Sequence, residues 1–156
     1  MEIQGQTISL VPYTRNLCQE FYKFYVADPC MWNSSYVYEE QQVNRFYDCK
    51  VKDPSRCFFA IVLGGRIIGE IQLKHINLVK HCGTLSIHLQ SDSVKGKGYG
   101  TEAEKLMVHY ALQNLKLNTI FADTVRRNQR SRHVLEKIGF QHIHDDESFC
   151  YYVYKR

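Results

Sequence analysis

Between Lys95 and Thr101 the chain reads Lys95-Gly96-Lys97-Gly98-Tyr99-Gly100-Thr101, with glycine at every second position. Glycines so spaced let the backbone turn tightly and bring its N–H groups close to a ligand. An amphipathic helix is predicted to follow at once. Ala103, Leu106, Met107, Tyr110, Ala111 and Leu115 recur at helical spacing, which leaves Glu102, Glu104, Lys105, His109 and Gln113 outward. A glycine turn that opens a helix presents unpaired N–H groups and a positive dipole end, so an anion is its natural guest. Lys95 and Lys97 add positive charge at the same place. The stretch predicts a phosphate or pyrophosphate cradle; a turn that only starts a helix is the plain alternative.

Two nucleotide motifs compete for these letters. A triphosphate-binding loop requires Lys-Ser/Thr directly after its last glycine, whereas Gly100 is followed by Thr101-Glu102. Gly98-Tyr99-Gly100-Thr101-Glu102-Ala103 fits the dinucleotide pattern GxGxxA, with Asp123 near the distance of a ribose acid. That fingerprint opens the first strand–helix unit of a doubly wound fold. Here most of the chain precedes it.

A third reading fits better. Lys95 to Gly100 resembles the Arg/Gln-x-x-Gly-x-Gly/Ala loop with which GNAT-superfamily acetyltransferases hold the pyrophosphate of acetyl-CoA, Lys95 replacing the usual Arg or Gln. Asn128-Gln129-Arg130-Ser131 and Val134-Leu135-Glu136-Lys137-Ile138-Gly139-Phe140 are similar to the second half of that fold. The combination resembles the branch of ribosomal-protein N-terminal acetyltransferases. The resemblance implies an α/β (α+β) domain over residues 1–156, with a mixed, mainly antiparallel sheet of about seven strands flanked by about four helices.

The elements that must position this loop are legible in order. Thr7–Val11 is a first strand, and Thr14 caps a helix to about Val26 with Leu17, Phe21, Phe24 and Tyr25 inward. Asp28-Pro29 breaks it, the segment from Cys30 to Tyr38 is aromatic and irregular, and Glu39–Tyr47 is a second helix. Cys57–Leu63 and Arg66–His75 form a hairpin about Gly64-Gly65. Cys82–Leu89 alternates, with Leu85, Ile87 and Leu89 on one face and Thr84, Ser86 and His88 on the other. The long helix and a strand at Thr119–Val125 complete a right-handed crossover. Asn128 caps the last helix, Gly139 ends it, and strands around 140–144 and 149–154 follow.

At 156 residues, 44% hydrophobic and 23% charged, the chain is long enough for a real core. A net charge of +4 suits anionic ligands without marking a nucleic-acid binder. No apolar run reaches membrane-spanning length, and Met1-Glu2-Ile3-Gln4-Gly5 lacks signal-peptide character. The six cysteines are unpaired in spacing and read as reduced thiols of a cytoplasmic protein. His142 and His144 fall on one face of a strand without a third ligand, and His75, His81, Cys82 and His88 lack zinc spacing, so no metal is expected. Arg126, Arg127, Arg130 and Arg132 crowd the start of the last helix against its dipole; a bound polyphosphate or simple solvation offsets this.

The resemblance also implies a chemistry and a set of residues. Acetyl-CoA is the donor and a primary amine the acceptor, either a protein N-terminus or a small amine, in a monomer or homodimer without nucleic acid or membrane. Cofactor contacts fall to Ile87, His88 and Leu89, to Lys95, Gly96, Lys97, Gly98, Tyr99, Gly100 and Thr101, and to Asn128, Arg130, Ser131 and Lys137. An N–H near His88–Gln90 faces the oxyanion, and Glu70 is the candidate base. Ser131 is the candidate acid, because Leu135 stands where many members carry Tyr. Asp28, Trp32, Glu39 and Glu40 lie in the variable region over the acceptor. A non-catalytic acyl-CoA-binding module is the rival reading.

Overall fold

The computed structural model describes every residue except Met31 and Asn33, which fall in the aromatic segment after Pro29 and lie outside the description. The chain runs β1 (Ile3–Gln4), β2 (Ser9–Pro12), α1 (Arg15–Lys23), α2 (Glu40–Phe46), β3 (Cys57–Leu63), β4 (Arg66–Asn77), β5 (Cys82–Leu89), α3 (Tyr99–Gln113), β6 (Thr119–Val125), α4 (Gln129–Ile138), β7 (Gln141–Asp145) and β8 (Phe149–Lys155). The strands form one sheet in the order β1-β2-β3-β4-β5-β6-β8-β7, antiparallel everywhere except between β5 and β6. The mixed, mainly antiparallel sheet with four α-helices is the expected fold. It has eight strands because a two-residue β1, too short to show alternation, pairs with β2.

Each face of the sheet carries its own core. Under α3 and α4, Ile61, Ile71, Leu73, Leu85, Met107, Ile120 and Tyr152 pack together. Under α1 and α2, Cys18, Phe21, Val43, Phe58, Ala60 and Ile67 form the second. Thr14 caps α1 by accepting from Leu17 N–H, but the helix ends at Lys23, three residues before the predicted end. Phe24 therefore leaves the helix and is 63% exposed instead of inward. Gly64 and Gly65, both at positive φ, make the β3–β4 turn with the twist that a two-residue hairpin needs.

Helix α3 departs from its predicted polar face in two places. Glu102 is half-buried and ties the helix to the β1–β2 turn, its Oε2 accepting from Thr7 N–H at 3.0 Å and Ile8 N–H at 2.9 Å. Glu104 is buried at 5% exposure, sharing the inner stripe with Met107, Val108 and Ala111. Desolvation raises its carboxyl from an ordinary 4.5 to about 8.

This burial gives the fold a pH dependence of known sign. Between about pH 4.5 and 8 the native protein keeps a proton that the unfolded chain has lost. Stability therefore falls as pH rises through that window, by up to about 1.4 kcal/mol per pH unit from this group. Glu104→Gln removes the effect. Thermal melts of both proteins should show the variant matching the parent near the acid end and exceeding it increasingly toward the basic end. A pH-independent difference would contradict the assignment.

Candidate active site

The parallel ladder between β5 and β6 stops at Leu85↔Ala122. Beyond that pair β5 follows β4 as far as Gly69↔Leu89, while β6 follows β8 to Val125↔Phe149. The two central strands thus part, and the β6-facing edge of residues 86–89 has no strand partner. A cavity of about 330 Å³ opens at the parting, lined from the α3–α4 side by Leu85, Ile87, Glu104, Ser131 and Leu135. Strand alternation places Gln72, Lys74, Ser86, His88 and Asp123, which also line it, on the opposite face. The cavity therefore crosses the sheet.

On the helix side a smaller cavity of about 100 Å³ joins Ile87, His88 and Leu89 to Lys95 and Gly100 of the glycine loop and to Asn128, Arg130 and Ser131 of α4. Gly98, at φ +87°, is the N-cap of α3, and no side chain caps the helix. The first N–H groups of α3 are therefore open to a ligand. A Cβ built on Gly96 or Gly98 would meet nothing within 4 Å, so the loop is not closed by its own packing. Gly96, Lys97 and Gly98 are exposed. These features fit a pyrophosphate, and the strand edge beyond Leu85 fits the amide-bearing arm of CoA.

Lys95, expected to bring positive charge to the cofactor, lines the loop-side cavity and is also ion-paired within the protein. Its ammonium lies 2.9 Å from Asp28 Oδ2 and 3.3 Å from Asp92 Oδ1, with the side chain 9% exposed. Burial pushes the Asp28 carboxyl up, but the Lys95 ammonium and the Cys30 N–H outweigh it and leave it below its ordinary value. Lys95 therefore ties the loop to the segment after α1, and Asp28 is engaged by it instead of awaiting an acceptor.

In α4, Asn128 is buried and accepts Ser131 N–H at 3.2 Å with its side-chain oxygen, which leaves its amide N–H₂ for the cavity it lines. Ser131 lines both cavities. Arg130 lines the helix-side cavity, whereas Arg126 donates to Asp146 O and Arg132 to the Tyr152 hydroxyl. Arg126, Arg130 and Arg132 thus turn to three different places. Lys137, in the last turn of α4, is exposed and lines neither cavity. Gln90 N–H, one candidate for an oxyanion donor, is instead bonded to Ile68 O at 2.8 Å.

On the other face, Glu70 is buried at 3% and lies directly across the ladder from His88. Tyr13 and Tyr22 donate their hydroxyls to its Oε2 and Oε1, and His88 Nδ1 lies 3.2 Å from Oε1. Burial, then the Glu70 charge, holds both phenols protonated far above their ordinary range. An ionised carboxylate only accepts, so toward Glu70 the His88 ring is the donor through Nδ1, and in the neutral ring that tautomer makes Nε2 the acceptor. Glu70 itself lines none of the cavities described here; His88 lines three. The third, of about 370 Å³, is walled by Tyr22, Tyr25, Trp32, Tyr36 and Phe46. Of the acceptor-side residues expected from sequence, Trp32 is there, while Glu39 and Glu40 line no cavity described here. His88 was expected as a cofactor contact and as one place for the oxyanion N–H; its pairing with Glu70 emerges only from the register. Glu104 was missed although Glu104, Met107, Val108 and Ala111 follow i, i+3, i+4, i+7 spacing.

His142 and His144 do not share a face. A bulge at Ile143 sets His142 opposite Tyr152 and His144 opposite Tyr151, so His142 pairs with Asp145 at 2.6 Å while His144 stacks on Tyr151. Among the described residues His142, Asp145 and Cys150 have ligand atoms within 4.8 Å of one another, and none of the three lines the cavities described here. No helix among them is long and apolar enough to cross a membrane.

Comparison with known proteins agrees with this geometry. Over 45 residues the chain is 53% identical to Probable N-acetyltransferase YjcK of Bacillus subtilis (strain 168), a match covering 29% of this chain and only 25% of that relative. A ribosomal-protein-serine acetyltransferase structure from Vibrio cholerae superposes with a TM-score of 0.81 at 14% identity, covering 100% of this chain and 98% of the other. A spermidine N-acetyltransferase chimera of Vibrio cholerae SpeG and hSSAT superposes at 0.83 with 16% identity, covering 96% of each. At these identities the structures speak for the fold. The model of the acetyltransferase (GNAT) domain matches residues 8–141, and the chain belongs to that family.

Proposed function

We propose that the protein transfers the acetyl group of acetyl-CoA to a primary amine by direct attack. The observation that carries the reading is the cavity at the parting of β5 and β6, which connects the loop side of the sheet with the aromatic side. The glycine loop and the start of α3 would hold the pyrophosphate, with Asn128 and the edge of Ile87, His88 and Leu89 holding the arm. The acceptor would approach from the aromatic cavity, whose ring faces attract a cation and desolvate it. Its volume suits a small amine or one N-terminal residue.

Glu70 acts through His88. The carboxylate fixes the ring, and Nε2 takes the proton that the amine loses as the N–C bond forms. Ser131 stands on the helix side of the same cavity, where the thiolate departs as the C–S bond breaks. All six cysteines are free, consistent with a reducing, cytoplasmic setting.

Thiol release from acetyl-CoA, measured against a panel of polyamines, aminoglycosides and short peptides, tests the reading. Release that depends on one amine class supports it; CoA binding without turnover on any amine would leave the acyl-CoA-binding module. Gly98→Asp should abolish most CoA affinity by calorimetry with the circular dichroism unchanged, since it places a charged β-carbon residue at φ +87° beside the phosphates. Unaltered affinity would remove the loop from the site.

For the base, His88→Asn should lower kcat/KM for the amine on the order of 10²-fold, recovering partly at high pH where the amine is already neutral. CoA affinity should hold. A parental rate would place the base elsewhere.

A further inference from the structure

Glu104 is a buried carboxyl that the fold has no evident use for. It makes no hydrogen bond or ion pair with any described residue, and no fully buried polar atom there lacks a partner, so its oxygens keep what accessibility they have toward the cavities they line. It lines both the loop-side cavity and the one that crosses the sheet, and Ser131 is with it in each. Beside an apolar stripe a leucine would pack as well without the cost of burying a carboxyl. An unpartnered acid at the mouth of the passage calls for a role in chemistry.

Resting on the function proposed above, we infer that Glu104 is the proton source for the departing CoA thiolate, with the Ser131 hydroxyl as relay. As the amine nitrogen bonds to the acetyl carbon, its proton passes to His88 Nε2. As the C–S bond breaks, sulfur takes the Ser131 proton and Ser131 takes that of Glu104. Solvent then restores the Glu104 proton and removes the one on His88, which balances the reaction. A serine hydroxyl alone is too weak an acid to be left as an alkoxide; a neutral carboxyl behind it removes that difficulty.

The surroundings keep Glu104 neutral before the step. The ionisable groups lining the loop-side cavity with it are Asp28, His88, Lys95 and Arg130, together with Tyr25; those lining the crossing cavity are Lys74, His88 and Asp123. Lys95 is already ion-paired with Asp28 and Asp92. None of these groups offsets burial, which alone raises the Glu104 carboxyl to about 8. A bound pantetheine arm would exclude more water and deepen the effect.

The experiment has three arms on the intact chain. Calorimetry with CoA establishes the site itself; absence of binding by the parent overturns both the function and this inference. Carbon-13 glutamate spectra of the parent and of Glu104→Gln then follow the one carboxyl that differs. A titration near 8 is expected, and an ordinary acidic titration with CoA bound overturns the inference alone. Finally, kcat with whichever amine is turned over is followed against pH. The parent should lose rate above about 8 as the acid ionises, and Glu104→Gln should be slower by on the order of 10²-fold with that limb gone. Ser131→Ala should fall similarly, and the double variant should be no slower than either alone. A variant with parental kcat and the same basic limb, or fully additive losses, contradicts the relay. Should Glu104→Gln fold poorly, the parent's titration and basic limb still decide.

Discussion

The central constraint is that β5 and β6 cannot both keep their outer partners and each other. The antiparallel ladder with β4 holds β5 to its end, and Gln90 extends that hold. Its backbone N–H reaches Ile68 O at 2.8 Å, and its buried side chain donates to Phe21 O at 3.1 Å, at the end of α1. The β8 ladder holds β6 along its whole length. Twist then separates the pair after Leu85↔Ala122. The price is a run of backbone without a strand partner in mid-sheet, tolerable only where a ligand or water pairs it.

The residues of the candidate site are arranged about this parting. On one face α3 and α4 start beside it, so that open N–H groups, Asn128, Ser131 and Glu104 share the helix-side space. On the other, the β4–β5 register sets Glu70 against His88, and two tyrosines from β2–α1 and α1 complete the carboxylate's partners. The Lys95–Asp28 pair links the glycine loop to the segment after α1, so the loop and that segment are mechanically joined.

Features set by local rules were legible in the sequence. The glycine loop, the Thr14 and Asn128 caps and the Gly64-Gly65 turn depend on a few neighbouring residues, and the structure has each. Features set by pairing were not. Glu70 could be named as an acid on a strand, but its link to His88 needs the register, and the two-residue β1 has no pattern to read. His142 and His144 alternate on paper, and one bulge undoes it. Glu104 was misplaced because a charged letter was taken as solvent-facing, although its helical spacing put it on the buried stripe. Lys95 was legible as positive charge in the loop, but its ion pairs were not, because its partners lie in another segment and in the turn before it.

The direct test of the parting as the donor site is amide hydrogen exchange with and without CoA. The account predicts new protection confined to residues 86–89 of β5 and to the backbone from Gly96 to Thr101, with the Cys82–Leu85 ladder unchanged. Protection elsewhere, or none along β5 at saturating CoA, would contradict it.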